Sequence, residues 1–251
     1  MTKIYAVGIG PGDDGYLAPK AREALLQSDV IVGYTGYVGL ISGLTQGKEV
    51  IATGMRGETE RCEAAISEAL KGLRVSVVSS GDAGIYGMAS LLYELAEKHP
   101  TIEIEVIPGI TAAVSAAAIL GTPLTNDFAV ISLSDLLTPW EVIEKRLDAC
   151  SAADMVLCIY NPQSSKRSDY LKKACDIALC HMPSDTKCGY VRNAFRGDEN
   201  ASGGGRAGES RVCTLAELRE ASVDMFTTVI IGNSATKIID GKLVTVRGYD
   251  L

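Results

Sequence analysis

The sequence predicts an α/β protein of two α/β domains, the first with a mainly parallel sheet and the second with a mixed one. Three features of the chain predict this. Through the first half, short apolar runs alternate with segments whose apolar residues recur at helical spacing. Some of those runs are apolar almost throughout, as at Val75, Val77 and Val78, which is what a strand buried on both faces requires. Near Leu120 the alternation breaks into turn-forming residues and then restarts, and the second half ends on a hairpin signal foreign to a purely parallel sheet.

Each element has a local reason. Residues 4–9 are an apolar strand running into a glycine turn. Residues 19–27 read as a helix opened by Pro19, with Ala21, Ala24 and Leu25 on one face. Strands follow at 30–32 and 50–52. Residues 58–71 are amphipathic, with Cys62, Ala65, Ile66, Ala69 and Leu70 inward, and stop at Gly72. A strand at 74–79, a helix at 89–98, a strand at 102–107 and a small-residue helix at 112–118 complete a first domain over 1–119. Residues 120–127 read as a linker. The second domain, 128–251, begins with a strand at 128–133 and a helix at 140–149, where Thr138 and Glu141 resemble a capping box around Pro139. It continues with a strand at 155–160, a helix at 167–181, a strand at 187–191, a short helix at 215–221 and a strand at 227–231. Strands at 237–239 and 242–246 flank Asp240-Gly241, a strong hairpin turn. Residues 200–208, with three consecutive glycines, read as a surface loop.

Composition narrows the function. The chain has 251 residues, 47% hydrophobic and 22% charged, the balance of a globular enzyme with ample core. Residues 1–4 run straight into the first strand, so no signal peptide is expected. No apolar run reaches membrane-spanning length, and a cytoplasmic location is the expectation. A net charge of −7 argues against general affinity for nucleic acid but leaves an anionic substrate open. The seven cysteines form no C-x-x-C pair. Cys175 and Cys180 lie about 140° apart around a helix axis, so scattered thiols are expected and no metal site.

Glycine turns at strand ends carry the chemistry. Gly8-Ile9-Gly10-Pro11-Gly12-Asp13 follows the first strand, where glycine allows the backbone to approach a ligand closely. A dinucleotide fingerprint is excluded: Asp13 stands where its third glycine belongs, and no acidic residue ends the next strand. Ser79-Ser80-Gly81-Asp82-Ala83-Gly84-Ile85-Tyr86-Gly87 follows a buried strand and lacks the lysine of a phosphate loop. Asp82 admits two readings there, ligand contact or turn cap. Pro108-Gly109-Ile110-Thr111-Ala112 again follows a strand. Three such turns suggest a cofactor met through backbone groups, adenosine with an uncharged linkage rather than a nucleotide diphosphate. In the second half, Ser134 and Asp135 are polar residues at a strand end. Lys166 and Arg167 admit a solvated or a ligand-binding reading.

These motifs together resemble the tetrapyrrole methylases, enzymes that use S-adenosylmethionine in corrin and sirohaem synthesis. Gly8-x-Gly-Pro-Gly12, Ser80 to Gly87, Pro108 to Ala112, Asn161-Pro-x-Ser164 and Thr227-Thr-x-x-Ile-Gly-Asn-Ser234 occur in that order and span the chain. Gly54-Met55-Arg56 with Glu58, Glu60 and Arg61, the stretch Leu133 to Trp140, and Gly-Asp-Ala at 81–83 resemble the precorrin-3B C17-methyltransferase (cobalt-factor III methyltransferase) branch. Ala18 departs from the family's usual threonine, and Thr35-Gly36 from the branch's usual Lys/Arg-Thr.

The resemblance implies a cleft between the domains and a reaction at C17 of precorrin-3B or cobalt-factor III with ring contraction. It implies S-adenosylmethionine as donor, S-adenosylhomocysteine as product, a corrinoid precursor as substrate and a homodimer. It places Pro11, Ser80, Gly81, Asp82, Ile85, Thr111 and Ala112 beside the donor in the first domain, and Tyr160, Ala194, Thr228 and Ile231 in the second. Ring contraction needs proton transfers, for which Asp135, Ser134 and Tyr86 are candidates. Asp13 is a candidate facing the substrate. Arg192, Arg196, Arg206 and Arg211 either bind its carboxylates or form a solvated loop near Asp198, Glu199 and Glu209. Two alternatives stay open: a tetrapyrrole methylase acting at another ring carbon, and a non-catalytic corrinoid-binding module.

Overall fold

The computed structural model describes residues 2–164, 166–196 and 208–249. Arg206, Asp198, Glu199 and nearly all of the 200–208 stretch therefore lie outside the described residues. Two units are distinguished by their internal contacts.

In the first unit the apolar runs assemble into one sheet. Strands β1 (Thr2–Gly8), β2 (Val30–Tyr34), β3 (Glu49–Thr53), β4 (Val75–Ser79) and β5 (Ile102–Ile107) lie in the order β3-β2-β4-β1-β5, every pairing parallel. Alternate residues therefore feed two cores. Tyr5, Val7, Ile31, Val78 and Ile107 pack with helices α1 (Pro19–Gln27) and α2 (Thr35–Leu40). Ile4, Ala6, Val30, Val32, Val75 and Val77 pack with α3 (Glu58–Leu70) and α4 (Ala89–Ala96). β4 is buried at every position, as its unbroken apolar pattern requires.

The second unit begins with α5 (Ala112–Leu120) from its second residue onward. The expected division at 120–127 differs from this boundary for a packing reason. Ala113, Ala116, Ala117 and Leu120 of α5 lie in a core with Val156, Cys158, Val191 and Ile230 of the second sheet. Residues 121–122 form strand β6 (Gly121–Thr122) within the expected linker.

The main sheet here comprises β7 (Phe128–Ser132), β8 (Val156–Tyr160), β9 (Lys187–Arg192), β10 (Glu209–Thr214) and β11 (Thr227–Ile231), in the order β10-β9-β11-β8-β7. Only β7 and β8 pair in parallel; the remaining pairings are antiparallel. Helices α6 (Trp140–Ala152), α7 (Tyr170–Ala178) and α8 (Leu215–Arg219) cover the face opposite α5. A small sheet joins β12 (Thr236–Ile239), β13 (Lys242–Thr245) and β6. The Asp240-Gly241 turn sits at φ 49° and 73°, as the hairpin signal predicts. No helix among the described residues is long and apolar enough to cross a membrane.

Two local expectations need correction. α6 has Pro139 at its cap position and no side-chain cap, so Thr138 and Glu141 form no capping box. The capping box present is Thr214 with Glu217, at the start of α8. α7 begins at Tyr170 rather than at 167, because Ser164 and Arg167 close a turn on each other through reciprocal main-chain bonds of 3.3 and 3.0 Å.

Candidate functional site

The first unit brings the turns after β1, β4 and β5 together at the carboxyl end of the sheet, where open α/β folds bind ligands. Gly10 N donates to Gly81 O at 3.0 Å, and Gly81 N donates to Gly10 O at 2.7 Å. Gly8 and Gly109 have no room for side chains. A Cβ on Gly109 would stand 2.2 Å from Gly81 O, and one on Gly8 would stand 2.6 Å from Gly109 N. These two glycines serve the approach of backbone to backbone. Gly81 is different: its φ of 69° is what demands glycine. Asp82 fills the turn-cap role and more. Its Oδ1 accepts from Gly84 N at 2.7 Å, while Oδ2 accepts from Gly109 N at 3.0 Å and ties the second turn to the third.

Arg196 joins this arrangement from far along the chain. Its Nε donates to Pro11 O at 3.0 Å and its Nη2 donates to Ser80 Oγ at 2.9 Å. Sequence position put Arg196 among the second-domain arginines; by contacts it groups with the first unit. Next to it, Phe195 stacks on Tyr16 with ring centroids 4.4 Å apart. Asp13 is exposed and caps a short 3-10 turn by accepting from Gly15 N at 2.7 Å. Ile85 and Tyr86 are large apolar side chains left exposed beside Gly84, with Tyr86 at φ 53°. Thr111 and Ala112 are half-buried. Arg61, only 3% exposed, donates to Thr53 Oγ1 at 2.6 Å and Gly54 O at 2.8 Å, fixing the turn after β3.

In the second unit, Tyr160 and Ala194 pack against the core that α5 covers, and Thr228 faces the same side, opposite Val191. The Tyr160 hydroxyl accepts from Ala113 N at 2.7 Å, at the start of α5. Ile231 belongs to the opposite core, fully buried with Leu157 and Cys188, which takes it out of reach of a ligand. Arg192 also points to that opposite side, since it is paired with Thr227 and alternates with Val191. Its Nε donates to Asp224 Oδ2 at 2.7 Å. That pair lines a recess of about 290 Å³ with Tyr190, Glu209 and Ser222. Arg211 is exposed on the edge strand β10.

Ser134 and Asp135 share partners that sequence reasoning missed. Arg167 Nη1 donates to Ser134 Oγ at 2.7 Å and to Asp135 Oδ1 at 3.3 Å, and its Nε donates to Ser164 Oγ at 3.2 Å. Tyr170 donates to Asp135 Oδ2 at 2.6 Å. Arg167 is thus a half-buried tether rather than a solvated helix-start charge. The Tyr170 hydrogen bond is the main reason that the Asp135 carboxyl sits below the ordinary carboxylate range. A carboxylate so stabilised in its ionised form orients its neighbours well but takes up a proton poorly, which makes it a weak base and leaves it no proton to donate near neutrality. No motif links Asp135 to Tyr170; only the packing of α7 does so.

Cysteine offers no nucleophile among the buried thiols. Burial pushes Cys158 and Cys175 up to about 12, and Cys62 and Cys213 to about 11, so all four are protonated at neutral pH.

Comparison with known proteins agrees with this architecture. Residues 3–218 match the family model for tetrapyrrole (corrin/porphyrin) methylases. The chain is 46% identical over 249 residues to the probable cobalt-factor III C(17)-methyltransferase of Salmonella typhimurium, covering 99% of this chain and 100% of that one. The crystal structure of the methyltransferase CobJ superposes with a TM-score of 0.88 at 34% identity, covering 98% of this chain and all of the other. A uroporphyrin-III C-methyltransferase from Thermus thermophilus, solved in complex with S-adenosylhomocysteine, has a TM-score of 0.68 at 18% identity over 92% of each chain, a likeness of fold. With a family match over most of its length and a full-length relative at this identity, the chain belongs to the tetrapyrrole methylase family of methyltransferases.

Proposed function

We propose that this chain is an S-adenosylmethionine-dependent C-methyltransferase of corrin synthesis, acting at C17 of cobalt-factor III or precorrin-3B with contraction of the ring. The observation that carries the reading is the end-to-end match with a probable cobalt-factor III C(17)-methyltransferase, in which neither chain leaves a sizeable part uncovered. A cytoplasmic homodimer is part of the same proposal, on family grounds.

The residues suit the donor. Ile85 and Tyr86 are exposed apolar groups beside a glycine turn, a surface that a bound adenosine would cover. Around them are main-chain groups and small side chains, with none of the machinery that a diphosphate needs. We assign Pro11, Ser80, Gly81, Asp82, Ile85, Thr111 and Ala112 to the donor in the first unit. Tyr160, Ala194 and Thr228, which share one sheet side, are the assignment in the second; Ile231 is dropped as a core residue. The donor supplies an electrophilic methyl group to an electron-rich ring carbon.

The chain's own task in that step is alignment and exclusion of water, and it needs no strong acid or base. The turn network from Gly8 to Gly109 is held by main-chain bonds and by Asp82, so its geometry is preset before any ligand arrives. For the proton transfers of ring contraction we retain Ser134 and Tyr86. Asp135 becomes the ionised anchor that holds Arg167 and Tyr170 in place. Asp13 remains a candidate for the substrate, through its exposed side chain at the first turn.

The test is mass spectrometry of the product formed from cobalt-containing and metal-free trimethylated precursors with S-adenosylmethionine. One added methyl group with ring contraction, on either precursor, is the expected result. Methylation at another carbon, or none with either precursor, overturns the reading.

A further inference from the structure

We infer that Arg196 is a positioning residue for the methyl donor and not a ligand for substrate carboxylates. The inference rests on the reading above, that the turns after β1 and β4 hold the donor. A rigid guanidinium spans those two turns, with its Nε donating to the Pro11 carbonyl at 3.0 Å and its Nη2 to the Ser80 hydroxyl at 2.9 Å. Both acceptors belong to residues assigned to the donor. On turns already joined by the Gly10–Gly81 main-chain bonds, the planar fork fixes the Pro11 carbonyl and the Ser80 hydroxyl relative to each other, which a lysine, with a single ammonium point, cannot do.

The approach of Arg196 is itself fixed. Its aliphatic stem lies over Gly12, where an added Cβ would stand 3.5 Å from Arg196 Cγ. Phe195 anchors the adjoining backbone by stacking on Tyr16, and holds a φ of 52° that a non-glycine residue adopts only when its surroundings enforce it. The Tyr37 phenol, half-buried on α2, lies close enough to feel the Arg196 charge. Burial lowers the arginine's pKa from its usual value, as expected for a cation turned into the protein rather than toward a dissolved ligand.

The experiment is calorimetric titration of the full chain with S-adenosylhomocysteine, alongside KM for the corrinoid and kcat. Arg196→Gln is expected to weaken S-adenosylhomocysteine binding about tenfold or more, and Arg196→Lys nearly as much, since hydrogen bonds from charged groups carry this order of energy. The corrinoid KM should stay near wild type. Ser80→Ala should weaken donor binding less, and the double variant Arg196→Gln with Ser80→Ala should bind no more weakly than Arg196→Gln alone, because the two act as one unit. Wild-type donor affinity in both Arg196 variants with a raised corrinoid KM makes the residue a substrate ligand and overturns the inference. Asp82→Asn separates the two layers. If it weakens donor binding while the Arg196 variants do not, only the inference falls. If Asp82→Asn, Ser80→Ala and both Arg196 variants all bind normally, the donor reading falls and takes the inference with it. Should Arg196→Gln not fold, Arg196→Lys and Ser80→Ala decide the matter.

Discussion

The two units build their strand-end turns from different materials. In the first, main chain meets main chain at Gly8, Gly10, Gly81 and Gly109, so closely that no Cβ fits at Gly8 or Gly109, and the side chains of Asp82 and Arg196 reinforce that contact. In the second, side chains do the joining: the Tyr160 hydroxyl meets the start of α5, and Arg167 gathers Ser134, Asp135 and Ser164. A wholly parallel sheet explains the first arrangement, because its strands deliver their turns side by side at one edge. The bridged turns of the second unit follow β7 and β8, the parallel pair of its mixed sheet, so strand direction is the same there; what differs is that these turns carry Ser134, Asp135, Tyr160 and Ser164 in place of closely opposed glycines. Backbone-built turns should tolerate almost no substitution, whereas side-chain bridges should weaken by degrees.

Gly109→Ala tests the contrast most severely. With its new methyl 2.2 Å from Gly81 O, the variant is expected to lose about 3 kcal/mol of stability or more in urea denaturation. A loss below about 1 kcal/mol would break the distinction between the units. Tyr160→Phe should have a middle-sized effect. It removes the acceptor for Ala113 N and is expected to cost about 1–2 kcal/mol by the same measurement, with the fold kept.

Asp135→Asn should have the smallest effect, under about 1 kcal/mol, since the pair it forms with Arg167 is partly solvated. Its signature is in the pH dependence. The folded-state carboxyl is depressed, so its contribution is complete above the ordinary carboxylate pKa near 3.8 and is lost as pH falls through the lower folded value. The stability gap between wild type and Asp135→Asn should therefore be flat around neutrality and shrink in strong acid. A gap that widens on acidification would reverse the sign and show that Asp135 is not held ionised.

Elements with a strong local signal were legible in the chain. Pro19–Gln27 has its proline start and its apolar stripe, and it forms as read. The Asp240-Gly241 hairpin needs only two residues to declare itself. α2 escaped because Gly36 and Gly39 dilute any helical preference in a six-residue segment. β10 escaped because an edge strand with its first three residues exposed shows no apolar run. At the site, glycine spacing pointed to the turns but not to what crowds them. The bonds of Arg196 and Arg167 were invisible for another reason: the partners Pro11 and Arg196 are 185 residues apart, and Ser134 and Arg167 are 33 apart. Periodicity reports burial and local turns. It carries no information on which distant acceptor a long side chain will find.

The region around β6 has a consequence for the order of folding during synthesis. Gly121 and Thr122 pair with Leu243 and Val244; Pro123 O accepts from Thr245 Oγ1 at 2.7 Å, Val246 O accepts from Asn126 Nδ2 at 3.2 Å, and Ile119 O accepts from Lys242 Nζ at 2.9 Å. Every one of these tethers joins residues that leave the ribosome more than a hundred residues apart. The five strands of the first sheet are all made by residue 107 and can pair as they emerge. The small sheet of the second unit must wait for β13, so α5 and the strand after it stay unclosed until residues 242–245 have been made.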